Sequence, residues 1–251
     1  MKSAIFKSVI AFALVMLISP LLNTTNASAS NLLLDSDDKN RTEKHLDLKP
    51  FNKIEVSSGV NVYLIRHSNN KARIDANINV IDNVVVKVVG NTLKVYVENK
   101  KVLIRTDGID VYVYFTELNS IIASGGSDVE TEDNTIINGD ELHISGSGGT
   151  DISLEINVRK LTCELSGGND TKLVGRAVNA TYNISGGADF DGKKLRSKNV
   201  NINVSGGADA YVHASESLDA NASGAADIYY YGNPRYIKTN SSGGADIRIG
   251  D

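Results

Sequence analysis

The pentapeptide Ser-Gly-Gly-Ala-Asp occupies residues 185–189, 205–209 and 242–246. Its starts and those of four close copies are separated by 23, 19, 19, 20, 18 and 19 residues along the second half of the chain. A near-constant period of this size is typical of a solenoid, in which each repeat buries its apolar side against its neighbours. The seven copies lie at residues 124–128, 147–151, 166–170, 185–189, 205–209, 223–227 and 242–246.

Apolar and polar residues alternate on both sides of each pentapeptide, as at Val200, Ile202 and Val204 before the fifth copy. Such alternation over four to six residues predicts short strands with one buried face. Glycine reaches positive φ without steric cost, so the Gly-Gly pair predicts a tight corner between two strands. The sequence therefore predicts an all-β fold in which residues 121–251 form a parallel β-helix, a solenoid of about 19 residues per coil.

Residues 46–120 alternate even more strongly, and two of their connections have the form of hairpin turns. These connections are Ser68–Lys71 and Val89–Thr92. We expect this N-terminal β region to be antiparallel or mixed, to continue into the coils and to cap their first end. The segment Ser58-Gly59-Val60-Asn61 resembles a worn copy of the corner, so the two regions form one continuous unit.

The first 29 residues have the features of a secretory signal peptide: Lys2 and Lys7, an apolar middle, and Ala-Ser-Ala before Ser30. Residues 30–45 are interpreted as a flexible leader. Removing residues 1–29 lowers the number of basic residues from 26 to 24 and leaves 30 acidic ones, a net charge of −6. An acidic chain without a basic stripe argues against binding to nucleic acid or to an anionic membrane surface.

The opening Phe51-Asn-Lys-Ile-Glu-Val-Ser-Ser-Gly-Val-Asn-Val-Tyr-Leu64, followed by the serial Ser-Gly-Gly-Ala-Asp units, resembles a known family. This family is the autotransporter-adhesin head domain called the GIN domain, which occurs in secreted proteins of Bacteroidota. The resemblance covers roughly residues 48–248. It implies a β-helical protein that is periplasmic, associated with the outer membrane or on the cell surface, and it supplies no catalytic residues.

The last residue of each pentapeptide is an aspartate, and coils in register would stack these aspartates about 4.8 Å apart. Neighbouring carboxylates at that spacing repel by about 1–3 kcal/mol, so something must relieve the repulsion. The favoured interpretation is that each aspartate accepts hydrogen bonds from the glycine amides of the corners. The alternative is a calcium ladder, because calcium binds several carboxylate oxygens in flexible geometry. Its candidate ligands are Asp170, Asp189, Asp209, Asp227 and Asp246.

Two features of the last coils suggest partners. Tyr229, Tyr230 and Tyr231 could form a partial platform for a carbohydrate, since aromatic rings offer apolar faces with a polar tip. Alternation requires at least one of the three to point inward. The sequence also carries no predicted cap after the seventh copy, and an open coil exposes strand edges. We therefore expect this end to meet another subunit, giving a homo-oligomer.

Catalytic patterns are scarce in the sequence. The four histidines are scattered without the spacing of metal ligands, and no cofactor motif is recognised. Asp189 and Asp191 with Lys193, Lys194 and Arg196 form the one cluster comparable to that of a β-helical polysaccharide enzyme, and a solvated loop explains it more simply. The sequence thus favours a non-enzymatic, exported, adhesin-like protein that binds a carbohydrate or another surface protein. The alternatives are a polysaccharide-active enzyme and an envelope scaffold or sensor accessory.

Overall fold

The computed structural model describes residues 40–98 and 108–251, and within them almost every regular segment is a β-strand. One short 3₁₀ turn, Ile81–Asn83, interrupts the strands. The strands are β1 (Arg41–Asp47), β2 (Lys53–Val56), β3 (Asn61–Arg66), β4 (Lys71–Asn77), β5 (Val84–Val89), β6 (Thr92–Val97), β7 (Asp110–Phe115), β8 (Ser120–Ser124), β9 (Asp128–Thr131), β10 (Ile137–Gly148), β11 (Asp151–Gly167), β12 (Asp170–Gly186), β13 (Asp189–Gly206), β14 (Asp209–Gly224), β15 (Asp227–Tyr231), β16 (Tyr236–Gly243) and β17 (Asp246–Ile249).

The predicted parallel β-helix is confirmed. From β10 onward each strand pairs in parallel with the strand one repeat later, giving about 7 turns spaced about 19 residues apart. Strands β11 to β14 each extend from one corner to the next. Each of these coils therefore has two runs of residues: one that follows its corner, and one that precedes the next corner. Inward side chains of both runs form the core, in which the rings of Tyr182 and Phe190 meet with centroids 4.7 Å apart.

Only the first glycine of each corner is sterically required from the third coil onward. Gly167, Gly186, Gly206, Gly224 and Gly243 all have φ between 77° and 92°. A Cβ atom on Gly206 would lie 2.6 Å from the carbonyl oxygen of Gly186, one coil earlier. At the second glycine, Gly207, a Cβ atom would meet nothing within 4 Å, and the sixth corner carries Ala225 there.

The corners are joined by backbone hydrogen bonds between successive coils. The N–H of the third corner residue donates to the carbonyl of the first corner glycine in the preceding coil, over 2.7–3.0 Å. The aspartate N–H donates to the carbonyl of the fourth corner residue below it, as from Asp189 to Asn169 over 2.8 Å. These bonds hold the coils in register at the corner. The donors of the first kind are Gly187, Gly207, Ala225 and Gly244.

The fourth corner residue points into the core in every coil, which the repeat pattern alone did not reveal. It is alanine in the last four corners and polar in the first three, where Ser127, Thr150 and Asn169 are fully buried. The polar members are hydrogen-bonded: the Ser127 hydroxyl accepts from the Val60 N–H over 3.3 Å, and Thr150 bonds to Asn169. Burial of these groups is therefore compensated by hydrogen bonds.

The N-terminal region is mixed, as predicted, and it extends the same stack. Parallel β2 and β3 flank the segment Ser58–Asn61, whose Gly59 N–H donates to the Gly125 carbonyl over 3.1 Å. This segment is therefore a true corner. Beyond it the outermost pairs are antiparallel, β5 with β6 and β1 with β4, and they cover the first end of the helix. The hairpin predicted at Val89–Thr92 is confirmed, with Gly90 at φ 63°.

Two N-terminal expectations are corrected. The hairpin predicted at Ser68–Lys71 does not form, because β7 lies between β3 and β4 and pairs with both. The predicted leader, residues 30–45, overlaps β1, whose Arg41 side chain bonds to Asp75 over 2.9 Å and to Asp110 over 2.7 Å. Residues 30–39 and the predicted signal peptide, residues 1–29, lie outside the described residues.

The last coil is more exposed than the others. All residues of β16 are exposed, including Tyr236 and Ile237, and Ile249 of β17 is 63% exposed. Within the described residues β16 pairs with β14 alone and β17 with β15 alone, so one edge of each strand faces away from the stack. Association with a second copy through this end stays a prediction.

The asymmetry of the corner glycines gives a matched pair of substitutions. Gly206→Ala is expected to lower the free energy of unfolding by about 1–3 kcal/mol, because its φ and the close Gly186 carbonyl both oppose a side chain. Gly207→Ala, at the open position, is expected to change it by no more than about 0.5 kcal/mol. Urea unfolding followed by circular dichroism measures both. Equal losses for the two variants would contradict this description of the corner.

Candidate functional site

The corner aspartates form a continuous ladder on the outer surface. Asp151, Asp170, Asp189, Asp209, Asp227 and Asp246 are directly in register through consecutive coils. Asp128 and Asn61 continue the same row toward the N-terminal end. We call the row from Asp128 to Asp246 the aspartate ladder. Its members are exposed or half-buried, so the stacking expected from the repeat is realised at the surface.

The aspartates do not cap the corner amides in the way that the sequence suggested. The recorded acceptors of the amides of Gly187, Gly207 and Gly244 are backbone carbonyls of the preceding coil. A ladder carboxylate instead bonds to the aspartate of the next coil: Asp128 Oδ1 accepts from the Asp151 N–H at 3.4 Å. The favoured interpretation of these residues is therefore corrected: stacking brings a carbonyl closer to each corner amide than the carboxylate can come.

Burial and neighbouring charge both act on two carboxylates of the ladder. Partial burial raises the pKa of Asp151, and the charges of Asp128 and Asp170 raise it further. Burial also raises the pKa of Asp209, followed by the charges of Asp227 and Asp189, while the Asp227 backbone N–H and Arg248 act in the opposite direction. Asp151 and Asp209 therefore hold protons more tightly than isolated carboxylates.

Arg248 relieves the charge at the end of the ladder. Its guanidinium lies 3.3 Å from Asp227 Oδ2 and 3.9 Å from Asp246 Oδ2, and it donates to the Tyr229 hydroxyl over 2.8 Å. Within residues 40–98 and 108–251, no group of three or more His, Cys, Asp or Glu side chains converges as a metal site would require. The calcium ladder thus stays a prediction that rests on one carboxylate per coil.

The three tyrosines do not act as one platform. Tyr230 packs against the core from the inward side, as alternation required for at least one of them. Tyr229 stacks on Tyr211 with ring centroids 4.9 Å apart, and Arg248 covers its other face at 4.8 Å. Tyr231 packs closely on the backbone of Gly250. Because neighbouring side chains occupy both faces of Tyr229, a sugar could reach only its edge and hydroxyl.

The charged cluster considered for catalysis is dispersed along the same coil. Asp191 accepts from the Lys193 backbone N–H over 3.1 Å, and Lys193 Nζ lies over the Tyr211 ring at 3.9 Å. Partial burial of His213 lowers the pKa of its imidazole, and the charge of Arg196 lowers that pKa further. The lysine is thus engaged with an aromatic ring, which is the behaviour of a structural surface contact.

Asparagine ladders line the run of each coil that precedes the corner. Asn203 donates from Nδ2 to Asn183 Oδ1 over 3.0 Å, and Asn221 donates to Asn203 over 3.1 Å. A parallel ladder joins Asn199 to Asn179 over 3.0 Å. We call the outward side chains of residues 179–185, 199–205, 217–223 and 236–242 the amide face. Asn-x-Ser triplets, such as residues 203–205, contribute to this face.

Two grooves run over this amide face. One has a volume of about 590 Å³ and is lined by the Asn183 and Asn203 ladder and the corner serines. The other, of about 610 Å³, is lined by the Asn179 and Asn199 ladder and by Tyr236. A smaller groove of about 370 Å³ lies along the aspartate ladder. The signal for the amide face was present in the sequence, since Asn-x-Ser precedes the corner in four consecutive coils.

Comparison with known proteins agrees with this architecture. The sequence profile of a family described as "Putative auto-transporter adhesin, head GIN domain" matches residues 50–234. Comparison with curated proteins found no match. In the residues that the structure describes, no helix is long and apolar enough to span a membrane.

Several solved structures share the fold. A "putative adhesin" from Bacteroides fragilis is 26% identical, with a TM-score of 0.77 over 84% of this chain and 97% of its own. A "putative lipid binding protein" from Parabacteroides distasonis is 18% identical, with a TM-score of 0.67 over 85% and 98% of the two chains. A "putative adhesin" from Parabacteroides merdae is 20% identical, with a TM-score of 0.65 over 86% and 98%.

The raised pKa of Asp209 predicts that removing its charge stabilises the protein. A raised pKa in the folded state means that folding favours the protonated form of Asp209. The contribution of Asp209 to the free energy of unfolding is therefore favourable at low pH and is lost as the pH rises through that pKa. Asp209→Asn should therefore raise the free energy of unfolding at pH 7 by about 0.2–1 kcal/mol, and the gain should shrink in acid. Asp133→Asn, in the exposed loop after β9, is the control. A loss of stability at pH 7 would contradict the repulsive ladder.

The calcium hypothesis predicts a separate effect. If the aspartate ladder holds calcium, the melting temperature should rise when calcium replaces a chelator, and Asp189→Asn with Asp209→Asn should abolish the rise. Magnesium at the same ionic strength is the control, since screening alone acts equally with either cation. A rise that magnesium reproduces would reject a calcium site and leave only screened repulsion.

Proposed function

The chain belongs to the head GIN domain family, and on this premise we propose that it is an exported, non-enzymatic, adhesin-like protein that binds a partner through the outer faces of its β-helix. The features of residues 1–29 support export to the periplasm, the outer membrane or the cell surface. The partner that this interpretation favours is a carbohydrate or another surface protein.

The observation that carries the proposal is the one-per-coil repetition of outward side chains. Aspartates on one run and asparagines on the other recur in register through consecutive coils. A ligand that is itself repetitive can meet several equivalent groups at once, and weak contacts then add up to stable attachment. Such a surface suits binding to an extended polymer or to a cell surface better than it suits turnover of a small substrate.

A polysaccharide-active enzyme is the second candidate, and the arrangement of charged groups supports it less well. Glycoside hydrolysis needs two carboxyl groups held on either side of the scissile bond. Asp189 and Asp191 lie on one strand, and Lys193 is turned toward Tyr211. Release of reducing ends from a polysaccharide, lost in Asp189→Asn, would favour the enzyme over the binding protein.

Export and attachment can be tested together in a Bacteroides host. The full chain with an epitope tag is expected in the envelope or medium with its N-terminus shortened, and Leu14→Arg with Leu17→Arg, which interrupts the apolar middle, should retain it in the cytosol. Beads coated with the exported protein are expected to adhere to bacterial or host cells more than albumin-coated beads do. An unprocessed cytosolic protein, or adherence no greater than that of albumin, would contradict the proposal.

A further inference from the structure

The amide face is almost free of net charge, unlike the rest of this acidic surface. Its outward residues are Asn, Ser or Thr, except Tyr236 and the pair Asp219–Lys238, whose charged groups lie 3.0 Å apart and compensate each other. Further charged residues lie at its borders: Glu164 is one coil before Asn183, Lys160 is one coil before Asn179, and Arg235 is beside Tyr236. This face therefore presents hydrogen-bonding groups without a field that selects for ions.

The laddered asparagines of the amide face are held in fixed orientations. A primary amide has two N–H donors and a carbonyl oxygen with two lone pairs. In the ladder from Asn183 through Asn203 to Asn221, each bond uses one donor and one lone pair, so Asn203 keeps one of each for a ligand. Ser217 donates to Asn199 Oδ1 over 2.8 Å and fixes the second ladder in the same way. Groups that are already ordered lose little entropy when they bind.

Asn201 stands at the centre of this face between the two ladders. It is exposed, lies in register with Thr181 on one side and Asp219 on the other, and has no recorded side-chain hydrogen bond within the described residues. Its amide is thus available to a ligand. Because coils are stacked about 4.8 Å apart, equivalent groups repeat along the helix axis at about the length of one sugar in an extended hexose chain.

We propose that the amide face binds a neutral, hydroxyl-rich polysaccharide whose chain lies along the axis of the β-helix. This inference rests on the proposed binding function and names its ligand class and its site. Hydroxyl groups both donate and accept, so they match the free donor and acceptor that Asn203 and Asn199 retain. A uronic acid or other anionic polymer would meet Arg235 only at the border of this face, and the aspartate ladder on the other run repels it.

Affinity electrophoresis in native gels tests the proposal. The exported protein is run through gels containing dextran, mannan, arabinoxylan or hydroxyethyl cellulose, and through gels containing alginate or polygalacturonate. At least one neutral polymer is expected to retard it, and the anionic polymers are not. Asn201→Arg, which places a long cation over the centre of the face, should weaken the retardation at least about tenfold. Thr181→Arg, on the neighbouring coil, should weaken the retardation in the same way, and it replaces the first variant as the test if Asn201→Arg folds poorly.

Asn157→Arg is the matched control, since Asn157 is an exposed ladder asparagine in the run of a coil that follows the corner. It should be retarded like the unaltered protein, and all variants should keep the circular dichroism spectrum of a β-helix. Retardation by no neutral polymer, or retardation that Asn201→Arg and Thr181→Arg leave unchanged, would overturn the proposal. If coated beads still adhere to cells in that case, the ligand assignment fails and the adhesive function stands; if they do not, both fail.

Discussion

Each coil of this β-helix rests on the preceding coil through backbone hydrogen bonds at a corner, and only glycine leaves room for that contact. The carbonyl oxygen of Gly186 lies 2.6 Å from the position that a Cβ atom of residue 206 would take, and the N–H of Gly207 donates to that same carbonyl over 2.8 Å. The corner is thus a close approach of two backbones as well as a turn. Since the coils from the third onward repeat it, one steric constraint sets the register of this part of the stack.

Register at the corner has opposite effects on the two runs of each coil. After the corner it stacks carboxylates. Partial burial raises the pKa of Asp151 and of Asp209, the neighbouring carboxylates raise it further, and Arg248 compensates negative charge at the end of the row. Before the corner it stacks asparagines, whose amides bond to one another without charge repulsion. The same spacing is therefore a cost for one ladder and a stabilising contact for the other.

Much of this architecture was predictable from the repeat, because a solenoid has mostly local contacts between neighbouring coils. The alternation of apolar residues predicted the buried faces, and Ser58–Asn61 was identified as a corner. The placement of β7 between β3 and β4 was not predictable, since pairing over such sequence separation leaves no local signal. The strand β1 was missed because its residues lack strong alternation, and they pair at the edge with β4.

The candidate sites were less predictable than the fold. A row of aspartates was visible in the repeat, but which group would satisfy the corner amides depended on distances within the stack. The asparagines before the corner were equally visible, yet only the structure aligned them into hydrogen-bonded ladders. For Tyr229 the structure removed a candidate site: the residue points outward, but Tyr211 and Arg248 cover both faces of its ring. Stacking between coils decides what each side chain still offers to a partner.

Amide hydrogen exchange at the corners tests the central claim most directly. Gly187 and Gly207 are exposed to solvent, but their N–H groups are bonded to carbonyls one coil earlier. The structure predicts that these amides exchange as slowly as those of the flanking strands β12 to β14, because they open only when two coils separate. Exchange as fast as in the exposed loop at Asp133 and Asn134 would show that the corners are simple surface turns and that register is set elsewhere.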